Sequence, residues 1–362
     1  MKIVDIEVTP IFIPIAEANP PLPEAETSAH HTLIKIRTDE GIDGIGETFR
    51  FAPWAMTDFI KIELGNLLIG QDPRDIERLW QLMYRRTFRY GMAGLVLHAI
   101  SGVEIALWDI LGKSVNLPVY QLLGGACREK IRAYASLHKF NEPEAVAETA
   151  KHFVDRGYSA VKLHQRDVAS VAAAREAIGS EIDLMLDASG AWSAPETERL
   201  LPAFAPYNLH WIEEPLLQMD DYDGLARIRN SASMRIAAGE NVYTHHGFRT
   251  MIEKKAVDLI QPDVIKTGGI SVARKVLTMA EAFNLEACTH SFYYGPGMAA
   301  TLHVALNSPL TEMIEVNPHD LSGWFMKPAL RPVDGYLTAP DAPGLGIELD
   351  DDIIRDCAKT RP

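Results

Sequence analysis

The sequence predicts an α/β chain: a closed barrel of parallel strands that follows an α+β region. Three observations predict it. From about residue 130 short β-like runs alternate with amphipathic helical runs. There are eight such β-like runs, enough to close a barrel. And each run after the first closes on a titratable residue at nearly the same phase of its repeat.

The region before the barrel has a different texture. Residues 2–14 (KIVDIEVTPIFIP) alternate like a strand, and HTLIKIRTDEGIDGIGETF reads as two more strands joined by a turn at Asp39-Glu40-Gly41. Between them IAEANPPLPEAETSAH is rich in Pro, Ala and Glu, the composition of a long exposed loop; residues 16–31 are the expected lid. DIERLWQLMYRRTF and GLVLHAISGVEIALWDILGKS follow as helices, the second apolar over most of its surface and therefore expected to be buried. NLPVYQLLGG ends the region on a glycine pair.

The eight β-like runs are IRAYAS, SAVKLH, DLMLD, LHWIE, RIAAGE, DLIQPD, LEACTH and EMIEV. EPEAVAETAKHFVDRG, VASVAAAREAIG, APETERLLPAFAPY and ISVARKVLTMAEAFN supply helical patterns between them. Beyond the barrel the chain is rich in turn residues and is expected to return to the first region.

Composition narrows the function. The net charge is −14 over 362 residues, against any phosphate-backbone partner, which needs clustered Lys and Arg. No uninterrupted apolar run reaches the roughly 18 residues of a membrane span, and MKIVDIEVTP lacks the pattern of a signal peptide. Cys127, Cys288 and Cys357 are few and widely spaced, with no metal-binding pattern, and fit small hydrophobes in a reducing cytoplasm. The expectation is a cytoplasmic protein with no nucleic-acid or membrane partner.

Barrel enzymes keep their chemistry where the strands end. Here those residues are Lys162 and His164, then Asp187, Glu213, Glu240, Asp263, His290 and Glu315. From Lys162 onward the separations are 25, 26, 27, 23, 27 and 25 residues. Solvated loops would supply one or two such residues, not a series in phase. Asp187, Glu213 and Glu240 close three consecutive strands, which lie about 5 Å apart. Three converging carboxylates repel one another unless a cation joins them. An all-oxygen set suits Mg²⁺, with Mn²⁺ as a substitute, rather than Zn²⁺. Asp263 and His290 close the next two strands, a carboxylate beside an imidazole, the pairing of a general acid/base. Lys162 and His164 are two apart and point the same way from one strand. Two proton-transfer groups flanking a divalent cation is the arrangement for enolate chemistry.

The local strings VKLH, MLDASGAW, WIEEP, AGEN, QPDVIKTGGIS and THSF, with the earlier GIGE and SGVEIALWDILGK…LPVYQLLGG, resemble the mandelate racemase subgroup of the enolase superfamily over nearly the whole chain. The resemblance implies a modified TIM barrel, (β/α)7β, with an N-terminal α+β capping domain: cap 1–126, barrel 127–325, and a C-terminal segment 326–362 returning to the cap. It implies Mg²⁺ on Asp187, Glu213 and Glu240, with Glu214 supporting them, and a homo-oligomer of two to eight chains. Where the family often carries Lys-x-Lys, this chain has Lys162-Leu163-His164. By position His164 takes the base role. Lys162 and Glu315 bind the carboxylate of a small-molecule substrate, Glu315 as a protonated donor, and Asp263 holds His290. Lys266 stands where another subgroup keeps a catalytic lysine and reads as accessory or structural.

The expected reaction is metal-dependent removal of the proton α to a carboxylate, through a metal-stabilised enediolate, in the dehydration of an acid sugar. His164 abstracts the proton and His290 protonates the departing hydroxyl. The alternatives are a racemase or epimerase, or a cycloisomerase acting on a sugar-acid lactone or anhydro ring, all of which begin at the same enolate. A Schiff-base aldolase using Lys162 would leave the carboxylate trio without a role, and a non-catalytic metal protein would leave the acid–base positions without one. Specificity is expected in the lid and in residues 48–57 (TFRFAPWAMT). His30, His31, Arg50, His138, Tyr293 and Trp324 are candidate substrate contacts, with ordinary packing as the competing reading for each.

Overall fold

A computed structural model describes all residues except Glu17, Asn19 and Pro362. Glu17 and Asn19 belong to the expected lid and lie outside the described residues. The chain opens with an antiparallel three-stranded sheet in the order β1 (Ile3–Pro14), β2 (Ser28–Thr38), β3 (Gly44–Thr48). β2 starts within the segment read as lid, and the described part of the connection before it carries a 3₁₀ turn at Glu24–Glu26. The segment 48–57 is likewise part helix. α1 (Pro53–Asp58) runs through a π-helical turn, Phe59–Leu64, into α2 (Gly65–Leu68). Next come α3 (Ile76–Thr87), α4 (Leu95–Val115) and the short α5 (Val119–Leu122). By length and composition α4 could cross a membrane, but most of its surface is buried inside the protein as a core helix.

The barrel then forms from eight parallel strands: β4 (Ile131–Ser136), β5 (Ala160–Leu163), β6 (Asp183–Asp187), β7 (Leu209–Glu213), β8 (Arg235–Ala238), β9 (Leu259–Ile260), β10 (Glu286–Thr289) and β11 (Thr311–Val316). Each pairs with its successor, and β11 pairs back onto β4 through Glu315 and Tyr134. Seven helices fill the crossovers: α6 (Pro143–Asp155), α7 (Val168–Ile178), α8 (Ala194–Phe204), α9 (Tyr222–Ser231), α10 (Thr244–Glu253), α11 (Ile270–Ala282) and α12 (Pro296–Asn307). This is a (β/α)7β barrel.

Its interior is plugged by one residue from each strand: Tyr134, Ala160, Met185, Trp211, Ala237, Leu259, Cys288 and Met313. Strand side chains repeat every two residues, so the next inward position lies two further on. That rule places Lys162, Asp187, Glu213, His290 and Glu315 directly above Ala160, Met185, Trp211, Cys288 and Met313. The apolar plug is the floor on which the polar layer stands.

Two cap carboxylates fasten the cap to the barrel by receiving first-turn amides of barrel helices, where the orphan N–H groups and the helix dipole favour an anion. Glu104 of α4 accepts from Ile270 N at 2.7 Å and Ser271 N at 2.9 Å. Glu47 of β3 accepts from Gly297 N at 2.8 Å. A Cβ on Gly269 would come within 2.1 Å of the Glu104 carboxylate, so that approach requires glycine. After β11 the chain adds β12 (Met326–Lys327), β13 (Tyr336–Leu337), β14 (Glu348–Leu349) and α13 (Asp351–Cys357). β13 pairs antiparallel with β4 of the barrel, while Ala358 bridges Ile11 of β1, so this segment touches barrel and cap alike.

Candidate active site

A cavity of about 360 Å³ opens at the C-terminal ends of the barrel strands, beneath the cap. Its wall includes His164, Asp187, Glu240, Lys266, His290 and Tyr293. Arg50, His138 and Glu26 also line it. Lys162, Glu213 and Glu315 lie below, wholly buried.

The polar layer is a chain of ion pairs. Lys162 Nζ sits 2.7 Å from Glu213, 2.8 Å from Glu315 and 3.6 Å from Asp187. Burial opposes its charge, but these carboxylates hold its pKa well above the ordinary value. His164 Nδ1 donates to the carbonyl of Leu137 at 2.6 Å, leaving Nε2 to face Asp187 Oδ2 at 3.1 Å. Burial resists charging His164, yet Asp187 wins and the pKa is raised. On the other flank His290 Nδ1 meets Asp263 at 2.6 Å and Nε2 meets Glu240 at 2.7 Å. Both ring nitrogens face carboxylates, so the ring is held as imidazolium. Burial is again outweighed, first by Glu240 and Glu315 and only then by Asp263.

The carboxylates answer in kind. Burial would raise Asp187, but Lys162 and His164 hold it down to about 2. Glu240 is lowered against burial by His290 and Lys266. Glu213, with Trp211 Nε1 at 3.1 Å and Gln261 Nε2 at 2.7 Å, is raised by burial to about 7. Glu214, supported by Asn241 at 2.7 Å, is raised by burial to about 8. Glu315, expected to donate a hydrogen bond to the substrate carboxylate, stands 2.8 Å from Lys162. Lys162 and His290 overcome burial and hold it at about 2, and it accepts from Ser291 N at 3.0 Å.

The donor set fits a divalent cation. Asp187 and Glu213 are direct partners in the β6–β7 ladder, and both reach the Lys162 ammonium. Glu213, Glu240 and His290 bring ligand atoms within 4.8 Å of one another. Among the described residues this is the cluster with that spacing, and Asp187 stands beside it rather than within it.

Of the candidate contacts, Arg50, His138 and Tyr293 reach the cavity wall. Tyr293 OH donates to Asp263 Oδ2 at 2.6 Å, sharing that oxygen with His290. His30 and Trp324 do not reach it. His30 stacks on Phe12, its partner across the β1–β2 ladder, at 4.0 Å and bonds Ser28. His31, on the opposite face, is buried against Glu47 at 2.5 Å. Trp324 packs edge-on against Tyr294, under Arg331, lining a separate cavity. Lys266 stands in the wall itself, 3.0 Å from Glu240 and over the Phe49 ring. Sequence reading missed Gln261, Phe292, Ser189, Glu26, Lys139 and Arg166. Only Gln261 carried a signal: it lies two residues beyond Leu259 of the plug.

Comparisons with known proteins agree with this geometry. Residues 11–124 match the N-terminal domain of the mandelate racemase / muconate lactonizing enzymes, and residues 145–353 match the enolase C-terminal domain-like family. The chain is 31% identical to a D-xylonate dehydratase of Haloferax volcanii, covering 97% of this chain and 88% of the relative. It is 33% identical to a D-galactarolactone cycloisomerase of Agrobacterium fabrum, covering 90% of each. A racemase from Streptomyces coelicolor, solved with bound magnesium, superposes with a TM-score of 0.89 at 29% identity over 99% of this chain and 100% of that one. With a barrel carrying a lysine, two histidines and a series of carboxylates at successive strand ends and both of its domains matched, the chain belongs to the mandelate racemase / muconate lactonizing enzyme family of the enolase superfamily.

Proposed function

We propose that this chain is a magnesium-dependent acid-sugar dehydratase. One observation carries the reading: two carboxylate-held histidines, just beyond β5 and just beyond β10, flank three carboxylates at consecutive strand ends. The likeness to acid-sugar dehydratases supports it.

Asp187, Glu213 and Glu240 would hold Mg²⁺, or Mn²⁺ in its place; bound there, the ion neutralises charge that builds on the substrate carboxylate as the α-proton leaves. His164 takes that proton at Nε2, since Nδ1 is committed to Leu137. Asp187, 3.1 Å away, stabilises the imidazolium that results. As the C–O bond at the β-carbon breaks, His290 gives the departing hydroxyl a proton, and water leaves. The enol so formed tautomerises to a 2-keto-3-deoxy acid. Lys162 orients the substrate carboxylate from below, and Asp263 keeps the His290 ring aimed. Racemisation would need His290 to serve also as a base, which its two carboxylate contacts oppose.

The cycloisomerase relative supports a second reading in which a ring oxygen, not a hydroxyl, leaves from the β-carbon. A library of acid sugars and their lactones, incubated with protein and Mg²⁺, tests both. A 2-keto-3-deoxy acid is the expected product. Exchange of the α-proton without any elimination across the library would refute dehydration.

A further inference from the structure

At the floor of the cavity every charge has a partner. Lys162 meets Glu213 and Glu315, Lys266 meets Glu240, His164 meets Asp187, and His290 meets Asp263. The rim differs. Arg50, Lys139 and Arg166 line the same cavity, and among the described residues none makes an ion pair or a side-chain hydrogen bond.

Arg50 is the informative one. Lys139 and Arg166 are exposed, but Arg50 is half-buried. Its guanidinium lies over the rings of Phe51 at 5.1 Å and Phe292 at 5.8 Å. Phe292 also packs edge-on against His164, at 5.8 Å. Arg50 is thus fixed to the aromatic wall that borders the base. The nearby acid, Glu26, spends its carboxylate on His138 Nδ1 at 3.0 Å. A guanidinium taken partly out of water without a carboxylate is costly, and a ligand anion relieves that cost. Its planar fork suits a carboxylate held by two hydrogen bonds. Meanwhile the chain carries a net charge of −14, which repels anions unless the entrance is locally positive. One substrate carboxylate is accounted for at the floor. Three further cations at the rim exceed what a single carboxylate requires.

We propose that the substrate is a sugar diacid, an aldarate or its monolactone, whose distal carboxylate is received by Arg50 while Lys139 and Arg166 supply a positive field. This rests on the dehydration reading above and names its substrate class.

The test compares aldarates with aldonates of the same length and configuration, plus an aldonate phosphorylated at its far end, using the full chain with Mg²⁺. The matching aldarate should exceed its aldonate in kcat/KM by about 10- to 100-fold, the worth of one charge-assisted contact. In Arg50→Met that ratio should collapse, chiefly through KM, and Arg50→Lys should keep part of it, which also controls for folding. Aldonates turned over as well as aldarates, a phosphorylated aldonate turned over best, or an unchanged ratio in Arg50→Met would each overturn the diacid and leave dehydration standing. Turnover of neither class would bring down the dehydration reading and the diacid with it.

Discussion

Lys162, at the floor of the cavity, has no exposed surface and touches three carboxylates; Arg50, at the rim, is half-buried and touches none among the described residues. The floor side chains come from strands. They stand on an apolar plug and are fixed by buried neighbours, as Trp211 and Gln261 fix Glu213. The rim side chains come from loops and from the cap, held by aromatic stacking and single hydrogen bonds. The difference separates two tasks. Rigid, mutually neutralised charge at the floor suits a fixed reaction, whereas adaptable charge at the rim suits choice among substrates.

The largest effect should come from the floor. Asp187→Asn should lower kcat/KM by at least about a thousandfold, since the charge stabilisation lost is several kcal/mol. EDTA should abolish activity and Mg²⁺ restore it. Full activity and unchanged metal affinity in the variant would break the comparison outright.

Next come the histidines. His164→Asn and His290→Asn should each cost about 10²- to 10³-fold, the scale of one acid–base group. In D₂O the first should lose exchange of the α-proton, and the second should lose elimination while retaining some exchange. Wild-type exchange in the His164 variant would move the base elsewhere.

The buried histidines sharpen the comparison through stability. Burial lowers His98 and His303 to about 4 and His319 to about 3. Their unfolded values lie near 6.5, so below that pH the unfolded chain binds more protons. Stability is therefore complete above about pH 6.5 and lost as pH falls toward 4 and below. His303 receives Tyr120 N and donates to Leu345 O, both of which a glutamine can replace. Urea unfolding of His303→Gln should lose less stability between pH 6.5 and 4, by on the order of 2 kcal/mol. An unchanged pH slope would contradict this.

Smallest is Glu26→Gln at the rim. Glutamine still accepts from His138, so KM should rise only about two- to fivefold, as for a solvent-screened pair, with an unchanged urea midpoint. A drop in kcat as large as that of the His164 variant would place Glu26 with the floor.

The floor was legible because a period of two within strands and a repeat of about 25 residues between them determine where inward side chains fall. Asp187 and Glu213 share one phase of both periods, and Glu240 keeps the longer repeat while standing three residues, not two, beyond Ala237 of the plug. Gln261 obeys the same rule but is not ionisable, so the charge pattern of the strand ends does not mark it. Most of the rim was not legible. No period relates Glu26 in the cap to His138 beyond β4; only the folded chain joins them. His30 and His31 show the limit within one strand: adjacent in sequence, they point to opposite faces, and neither choice of face was evident before the β1–β2 pairing.

The clasp between residue 11 and residue 358 also bears on how the protein comes into being. Lys359 N donates to Pro10 O, and the apolar cluster of Ile11, Ile13 and Leu33 is completed by Leu321 and Phe325. During translation, at roughly 5–20 residues per second, the first of these segments emerges on the order of tens of seconds before its partner. Throughout that wait the face of the cap sheet bearing Ile11 and Ile13 stands uncovered. The nascent chain therefore displays a sticky sheet for much of its synthesis, and the ribosome-bound protein, more than the finished one, is where a chaperone has something to hold.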